Sequence, residues 1–268
     1  MDKKIIIIGS CSFLGSHFVH HGVSQGLTVL GLNHTPPKSI PFTPYHWKIG
    51  KLRNLSLKQL DPNNHLKQIT DIINDCQPHY IIDCSDNNHI KVQHQSKLCS
   101  LRIPSTTHIY GPGQQVHEII PNIIVSILLG KKIPLDNKSH AIRSFIHIND
   151  IVSSTFKELH AGLPKEIHHL PNYYSASIRD LVAFICRRMN VPFEDAVTIV
   201  EDSSSKDTES LSEHTKSHSE LSLHPNIHYL ENGIDSVIAW AQEWLPALKN
   251  HLAPPFLPFR PSPSTRKE

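Results

Sequence analysis

Lys3-Lys4-Ile5-Ile6-Ile7-Ile8-Gly9-Ser10-Cys11-Ser12-Phe13-Leu14-Gly15-Ser16-His17 decides how the rest of the chain is read. Residues 3–8 are a continuous run rich in β-branched side chains, which suits a strand buried on both faces. Gly9 follows at once, and the spacing predicts a helix over residues 12–25. Leu14, Phe18 and Val19 fall on its buried side and Gly26 ends it. A buried strand, a glycine loop and a helix start make a dinucleotide-binding arrangement. Gly9 permits the tight turn, and Gly15 lets the helix lie against the strand. Backbone groups of Gly9, Ser12, Phe13 and Leu14 then face a pyrophosphate, helped by the helix dipole. Ser12 holds the middle position of the loop. Its side chain either crowds the pyrophosphate or hydrogen-bonds to it, and the sequence leaves both open.

Residues 27–32 read as a second strand, and the residue at its end normally meets the cofactor ribose. Here that residue is Asn33, followed by His34. An amide hydrogen-bonds a hydroxyl and does not repel a 2′-phosphate, so NAD and NADP both stay open as cofactors. Leu66, Ile69, Ile73 and Cys76 fall at helical spacing, Gln77-Pro78 breaks that helix, and residues 80–84 make a third strand. Strand and helix alternating at this pace predict an α/β fold, a doubly wound parallel sheet covered on both faces. Residues 34–64 carry little pattern.

Further on, Ile119, Ile120, Ile123, Ile124 and Ile127 predict an apolar helix closed by Gly130. Residues 145–148 read as a short strand leading into a helix near Asp150. Ser177 and Asp180 have the capping-box spacing and open a helix carried by Ile178, Leu181, Val182, Ile185 and Met189. Residues 230–245 predict a last helix, with Ile234, Ile238, Ala241 and Leu245 on one side. Residues 201–220 offer almost nothing to bury and read as an exposed insert, and the proline-rich stretch from 253 reads as a flexible tail. The expected division is 1–165 for the nucleotide-binding part, with 112–142 partly on the substrate side. Residues 166–252 then form a smaller C-terminal part, and 253–268 the tail.

Composition narrows the function. Of 268 residues, 38% are hydrophobic and 19% charged, enough apolar material for a core. Lys plus Arg number 26 against 24 Asp plus Glu, so there is no basic surplus for nucleic acid. Five widely spaced cysteines without a C-x-x-C fit a reduced, cytoplasmic setting. No apolar run reaches the roughly 18 residues of a membrane-spanning helix. The 21 histidines are scattered, and no metal site is expected from them.

Several segments together resemble one family. Gly9-Ser10-Cys11-Ser12-Phe13-Leu14-Gly15-Ser16-His17 is similar to the glycine-rich opening of the extended short-chain dehydrogenases, the NAD-dependent sugar epimerase/dehydratase family. His108-Ile109-Tyr110-Gly111-Pro112-Gly113-Gln114 resembles its N-V-Y-G-P-G-Q block. Arg143-Ser144-Phe145-Ile146-His147-Ile148-Asn149-Asp150 resembles R-D-F-I-H-V-D-D. Leu230-Glu231-Asn232-Gly233-Ile234 with Trp240 resembles the closing L-E-E-G-L…W. The order holds from residue 3 to about 245. The resemblance implies a Rossmann-type domain binding NAD or NADP, and a smaller part gripping a nucleotide sugar. It also implies a reaction begun by oxidising a sugar hydroxyl, with a Tyr as base and a Lys four residues later lowering its pKa. By that resemblance Arg143 is the substrate-phosphate ligand.

The pattern breaks at the base. None of the six tyrosines has a Lys four residues later. Only 23 residues separate Asp86 from Tyr110, far too few for the family's intervening strands and helices. Gln95-Ser96-Lys97 resembles the end of the missing motif, but Gln93 stands where its Tyr belongs, and an amide is no base. Residues 105–111 also fit the family's S-S-x-x-V-Y-G block, which makes Thr107 or Thr106 the hydroxyl residue. Lys51 stands where the family places an Asp against the adenine. Thr107 and Lys97 are thus the remaining catalytic candidates, with His94 and His108 as substitute bases. The expectation is a family member with a degenerate site, and the alternative is an active epimerase, dehydratase or reductase with a remodelled base. With the family's dimer helix shortened, a monomer or an atypical dimer is expected.

Overall fold

The computed structural model describes residues 3–33, 54–61, 64–84, 97–102, 107–161, 168–169, 174–200 and 230–248. β1 (Lys4–Ile8) lies within a six-stranded sheet that also holds β2 (Thr28–Asn33), β3 (Leu55–Gln59), β4 (Tyr80–Asp83), β5 (Lys97–Arg102) and β9 (His168–His169). The order is β3-β2-β1-β4-β5-β9, and every neighbouring pair is parallel. The third strand read from the sequence therefore lies parallel beside β1, with Ile6 opposite Ile81. This is a doubly wound α/β sheet of Rossmann type, as the alternation of elements predicted.

The isoleucine run is explained by what covers it. Ile5 and Ile7 point to one face and meet Phe18 and Val19 of α1 (Phe13–Ser24), together with Ile151 and Phe156 of α4 (Ile148–Ala161). Ile6 and Ile8 point to the other face, with Leu32, Leu60 and the Ile69 and Ile73 side chains of α2 (His65–Cys76). All four isoleucines are essentially fully buried, a gain of about 1.5–3 kcal/mol each before entropy. α1 closes through Gly26 at φ +76°, with Leu27 N–H donating back to Gly22 O. α2 closes through Gln77 in the left-handed region just before Pro78.

β3 was not expected from residues 34–64. Four of its five residues are exposed and it sits at the sheet edge, so no burial pattern announces it. The expected insert at 201–220 and the tail lie outside the described residues.

A second core gathers around α3 (Ile119–Leu128), α5 (Ile178–Arg188) and α7 (Leu230–Leu248). The pair β7 (Ile133–Leu135) and β11 (Val197–Ile199) and the short α6 (Phe193–Ala196) complete it. The predicted capping box at α5 is formed: Ser177 Oγ accepts from Asp180 N–H at 3.0 Å and donates to Asp180 Oδ2 at 2.6 Å. A three-stranded sheet of β6 (Thr107–Tyr110), β8 (Ile142–His147) and β10 (Tyr174–Ser177) joins the two cores. Phe145 and Tyr110 point into the second core, while Ile146 and Ile109 on the opposite face join the first.

Candidate functional site

The carboxyl end of β1 delivers Gly9, at φ +74°, into the loop before α1. An account of the loop's amides shows what it can hold. Gly9 and Ser10 N–H both donate to Leu32 O, at 2.8 and 3.4 Å. Cys11 N–H donates to Asn33 Oδ1 at 2.7 Å, and Ser12 N–H to Gly9 O at 2.9 Å. Gly15 N–H donates to Ser12 Oγ at 3.0 Å, and Ser16 N–H to Ser12 O at 2.9 Å. Phe13 and Leu14 N–H have no part in these bonds. They lie in the first turn of a twelve-residue helix, where the dipole favours an anion. Of the four residues expected to offer backbone groups, then, Gly9 and Ser12 have spent their amides inside the loop, and Phe13 and Leu14 retain theirs.

Ser12 settles into the role of helix cap. Its backbone is extended (φ −73°, ψ 166°), so a side chain there carries no strain, and the hydroxyl turns back to Gly15. Gly15 is held by contact. A Cβ at that position would stand 2.1 Å from Gly9 O and 2.8 Å from Ser10 Cα, both backbone atoms. These features fit a pyrophosphate: a close helix-to-strand approach, two donors without a partner among the described residues, and no acidic side chain in the first turn of α1.

His17 was not singled out by the sequence, yet it joins this loop to the Y-G-P-G segment. Its Nε2 donates to Pro112 O at 3.1 Å, and its ring meets Phe13 edge-on at 5.1 Å. Burial pushes its pKa down to about 3, against a smaller upward pull from the Pro112 carbonyl, so the ring is neutral. Burial likewise pushes the Cys11 thiol up, away from thiolate chemistry.

Asn33 does lie at the end of β2, but its carboxamide is turned into the loop rather than out toward a ligand. The strand beside it, β3, ends at Gln59, with Leu60 N–H donating to Asn33 O at 2.7 Å. Lys51, set against the adenine by the resemblance, lies outside the described residues.

Arg143 and His108 come together on one face of the joining sheet. Registers set His108 opposite Phe145 and Ala176 opposite Arg143, and alternation puts Arg143 on the same side as Phe145. The His108 ring stacks on Phe145 at 5.6 Å and 30°. Its pKa is lowered first by burial and then by the Arg143 guanidinium. Arg143 itself is exposed. Thr107 opens β6 opposite Ser144, and Ser144 and Ser175 share a hydrogen bond at 3.2 Å.

Lys97 is not brought to this site. It opens β5 opposite Tyr80, while the end near the glycine loop pairs Asp83 with Ser100. Three strand residues, about 10 Å, separate it from that end, and it lies on a strand where the family motif needs a helix. Gln93 and His94 lie outside the described residues. Of the described tyrosines, Tyr80 is buried at the amino end of β4. Tyr110 is pushed far above the usual phenol range by burial, then by Asp150 and Tyr174, so it keeps its proton.

Comparison with known proteins agrees with the strand-and-loop reading. Residues 89–167 match the model of the NAD dependent epimerase/dehydratase family. A dTDP-glucose 4,6-dehydratase of Streptomyces antibioticus is 26% identical over 172 residues, 63% of this chain and 51% of that protein. One from Haemophilus influenzae is 22% identical over 173 residues, 61% of this chain and 51% of that protein. The chain is thus similar to that family over residues 89–167 and to dTDP-glucose 4,6-dehydratases over a longer stretch. It spans about half the length of the curated relatives it matches. Solved structures of similar fold superpose over most of it. A dTDP-glucose 4,6-dehydratase from Bacillus anthracis, crystallised with NAD, has a TM-score of 0.69 at 15% identity, covering 90% of this chain and 97% of that one. A UDP-glucuronic acid 4-epimerase from Bacillus cereus, crystallised with UDP-glucuronic acid and NAD, has 0.63 at 13%, covering 90% and 99%. Among the described residues no helix is long and apolar enough to cross a membrane.

Proposed function

We propose that the chain binds a nicotinamide dinucleotide at the start of α1 and a nucleotide sugar beside Arg143, and that its site is degenerate for the family's chemistry. The observation that carries the reading is the amide account: six N–H groups between Gly9 and Ser16 are consumed internally, and the two at the helix start are not. Phe13 and Leu14 would hold the pyrophosphate, with Gly15 keeping the helix close enough for them to reach it. When bound, the nicotinamide supplies a hydride acceptor. Arg143 would take a substrate phosphate, since an exposed guanidinium offers a fork of donors that fits phosphate oxygens. Oxidising a sugar hydroxyl also needs a group to accept its proton. Tyr110 is held protonated, and Lys97 stands at the wrong end of its strand.

Titration calorimetry with NAD, NADP and UDP- or dTDP-sugars tests both halves. Binding of a dinucleotide with no rise in nicotinamide absorbance on adding sugar nucleotide is the expected result. Absence of any dinucleotide binding at millimolar concentration refutes the first half. The second reading, an enzyme with a remodelled base, is favoured by His108, which lies next to Arg143 with its pKa lowered and therefore neutral at pH 7. Turnover that vanishes in His108→Ala decides for it. The chain is proposed to be a monomer or to dimerise atypically; light scattering separates monomer from dimer, and cross-linking through residues 87–100 would refute an atypical dimer.

A further inference from the structure

One side chain makes two of the loop's bonds. Asn33 is 6% exposed. Its Oδ1 accepts from Cys11 N–H at 2.7 Å, and its Nδ2 donates to Ser10 Oγ at 2.8 Å. Ser10 is itself 1% exposed, and its hydroxyl lies over Gly31, where a Cβ would come within 2.4 Å of Ser10 Oγ. Just before Asn33, Leu32 O takes the amides of Gly9 and Ser10. Three successive loop amides are therefore held by two successive residues of β2.

We infer that Asn33 is a positioning residue: its carboxamide is a two-armed clamp that fixes the path of Ser10-Cys11, and so the aim of the Phe13 and Leu14 amides, instead of a ligand for the ribose. The inference rests on the dinucleotide reading above and deepens it. Turning the amide toward a ligand breaks both bonds and leaves Cys11 N–H without its acceptor, at a cost that a single new bond to a hydroxyl does not offset. The clamp is also uncharged. A carboxylate in this place would repel a 2′-phosphate, and a carboxamide does not, so NAD and NADP meet the same site and bind with similar affinity.

An aspartate could make the same clamp. One oxygen would accept from Cys11 N–H and the other from the Ser10 hydroxyl, which rotates to donate. Asn33→Asp therefore separates the clamp from the charge. In this variant NAD affinity stays within about threefold of wild type, while NADP weakens by about tenfold or more from the added charge. In Asn33→Ala the clamp is lost. NAD and NADP then weaken by the same factor, about tenfold, and exchange of the Cys11 amide rises by at least about tenfold. Equal loss of both cofactors in Asn33→Ala, together with loss of Cys11 protection, is what a ribose contact alone does not produce. If Asn33→Ala weakens NAD, leaves NADP unchanged and keeps Cys11 protected, Asn33 is a ribose ligand and the inference is overturned. If the wild-type chain binds neither dinucleotide, the proposed function fails. Exchange without ligand then still decides the clamp: protection lost in Asn33→Ala and kept in Asn33→Asp supports it, and protection unchanged in both refutes it.

Discussion

Replacing Gly15 by alanine adds one methyl group at the closest approach of α1 to the loop. The new Cβ would stand 2.1 Å from Gly9 O, where ordinary contact begins at 3.4 Å. Helix and loop must part by about 1.3 Å, and because both partners are backbone no side-chain rotation can absorb it. Overpacking of this kind costs about 1–3 kcal/mol, so the melting temperature should fall by about 2–12 °C. The same shift carries the Phe13 and Leu14 amides away from their place relative to Gly9, and dinucleotide affinity should drop by about tenfold or more. Gly26→Ala is the control. Nothing lies within 4 Å of a Cβ there, but φ is +76°, so the change is strain alone. It should cost about 1 kcal/mol and leave binding untouched. Calorimetry on the three proteins reads both quantities. A Gly15→Ala protein that melts with wild type and binds NAD equally well would show that the loop yields where the argument requires it to be rigid.

Three other outcomes follow from contacts described above. His17 is depressed to about 3 by burial, so between pH 6.5 and 3 the unfolded chain takes up a proton that the folded chain refuses. Stability is complete above that window and falls within it by up to about 1.4 kcal/mol per pH unit; a pH series of denaturant melts should show His17→Gln with a flatter profile there. Gly233→Ala would bring a Cβ 2.3 Å from the Tyr110 hydroxyl oxygen and should destabilise by about 1–3 kcal/mol. Adding Tyr110→Phe should recover part of that loss, and strictly additive melts would argue that the two do not touch. Ser177→Ala removes the cap of α5 and should cost about 1 kcal/mol, read as a fall of about 2–4 °C in melting temperature.

The parts of the fold legible in the sequence were those in which a local pattern and a burial demand coincide. Four isoleucines before a glycine can be little other than a strand covered on both sides, and Ser177 with Asp180 three residues on announced a cap that the structure forms. β3 was illegible because its residues are mostly exposed and its partner β2 lies more than twenty residues earlier. At the site, the glycines spoke for themselves, since a missing side chain has few uses. The amides did not. Which of Gly9, Ser12, Phe13 and Leu14 remain available depends on where Leu32 O and Asn33 Oδ1 fall, and that is a matter of register between two strands. The element carrying Lys97 was hidden for a related reason. A Ser-Lys pair reads alike at the end of a helix and at the start of a strand, and only the pairing with Tyr80 tells them apart.

The binding of residues 9–11 to residues 32–33 has a consequence for anyone who would transplant this loop. Glycine-loop sequences are often thought of as portable cassettes, a strand, a turn and a helix start to be moved between proteins. Here the cassette is longer. Its shape is written partly in β2, so moving residues 5–17 alone would leave Cys11 N–H and the Ser10 hydroxyl facing whatever the recipient carries at the positions of Gly31 and Asn33. The smallest segment that brings its own geometry with it ends at Asn33, which makes the first β-α-β unit, rather than the loop, the piece that must be exchanged whole.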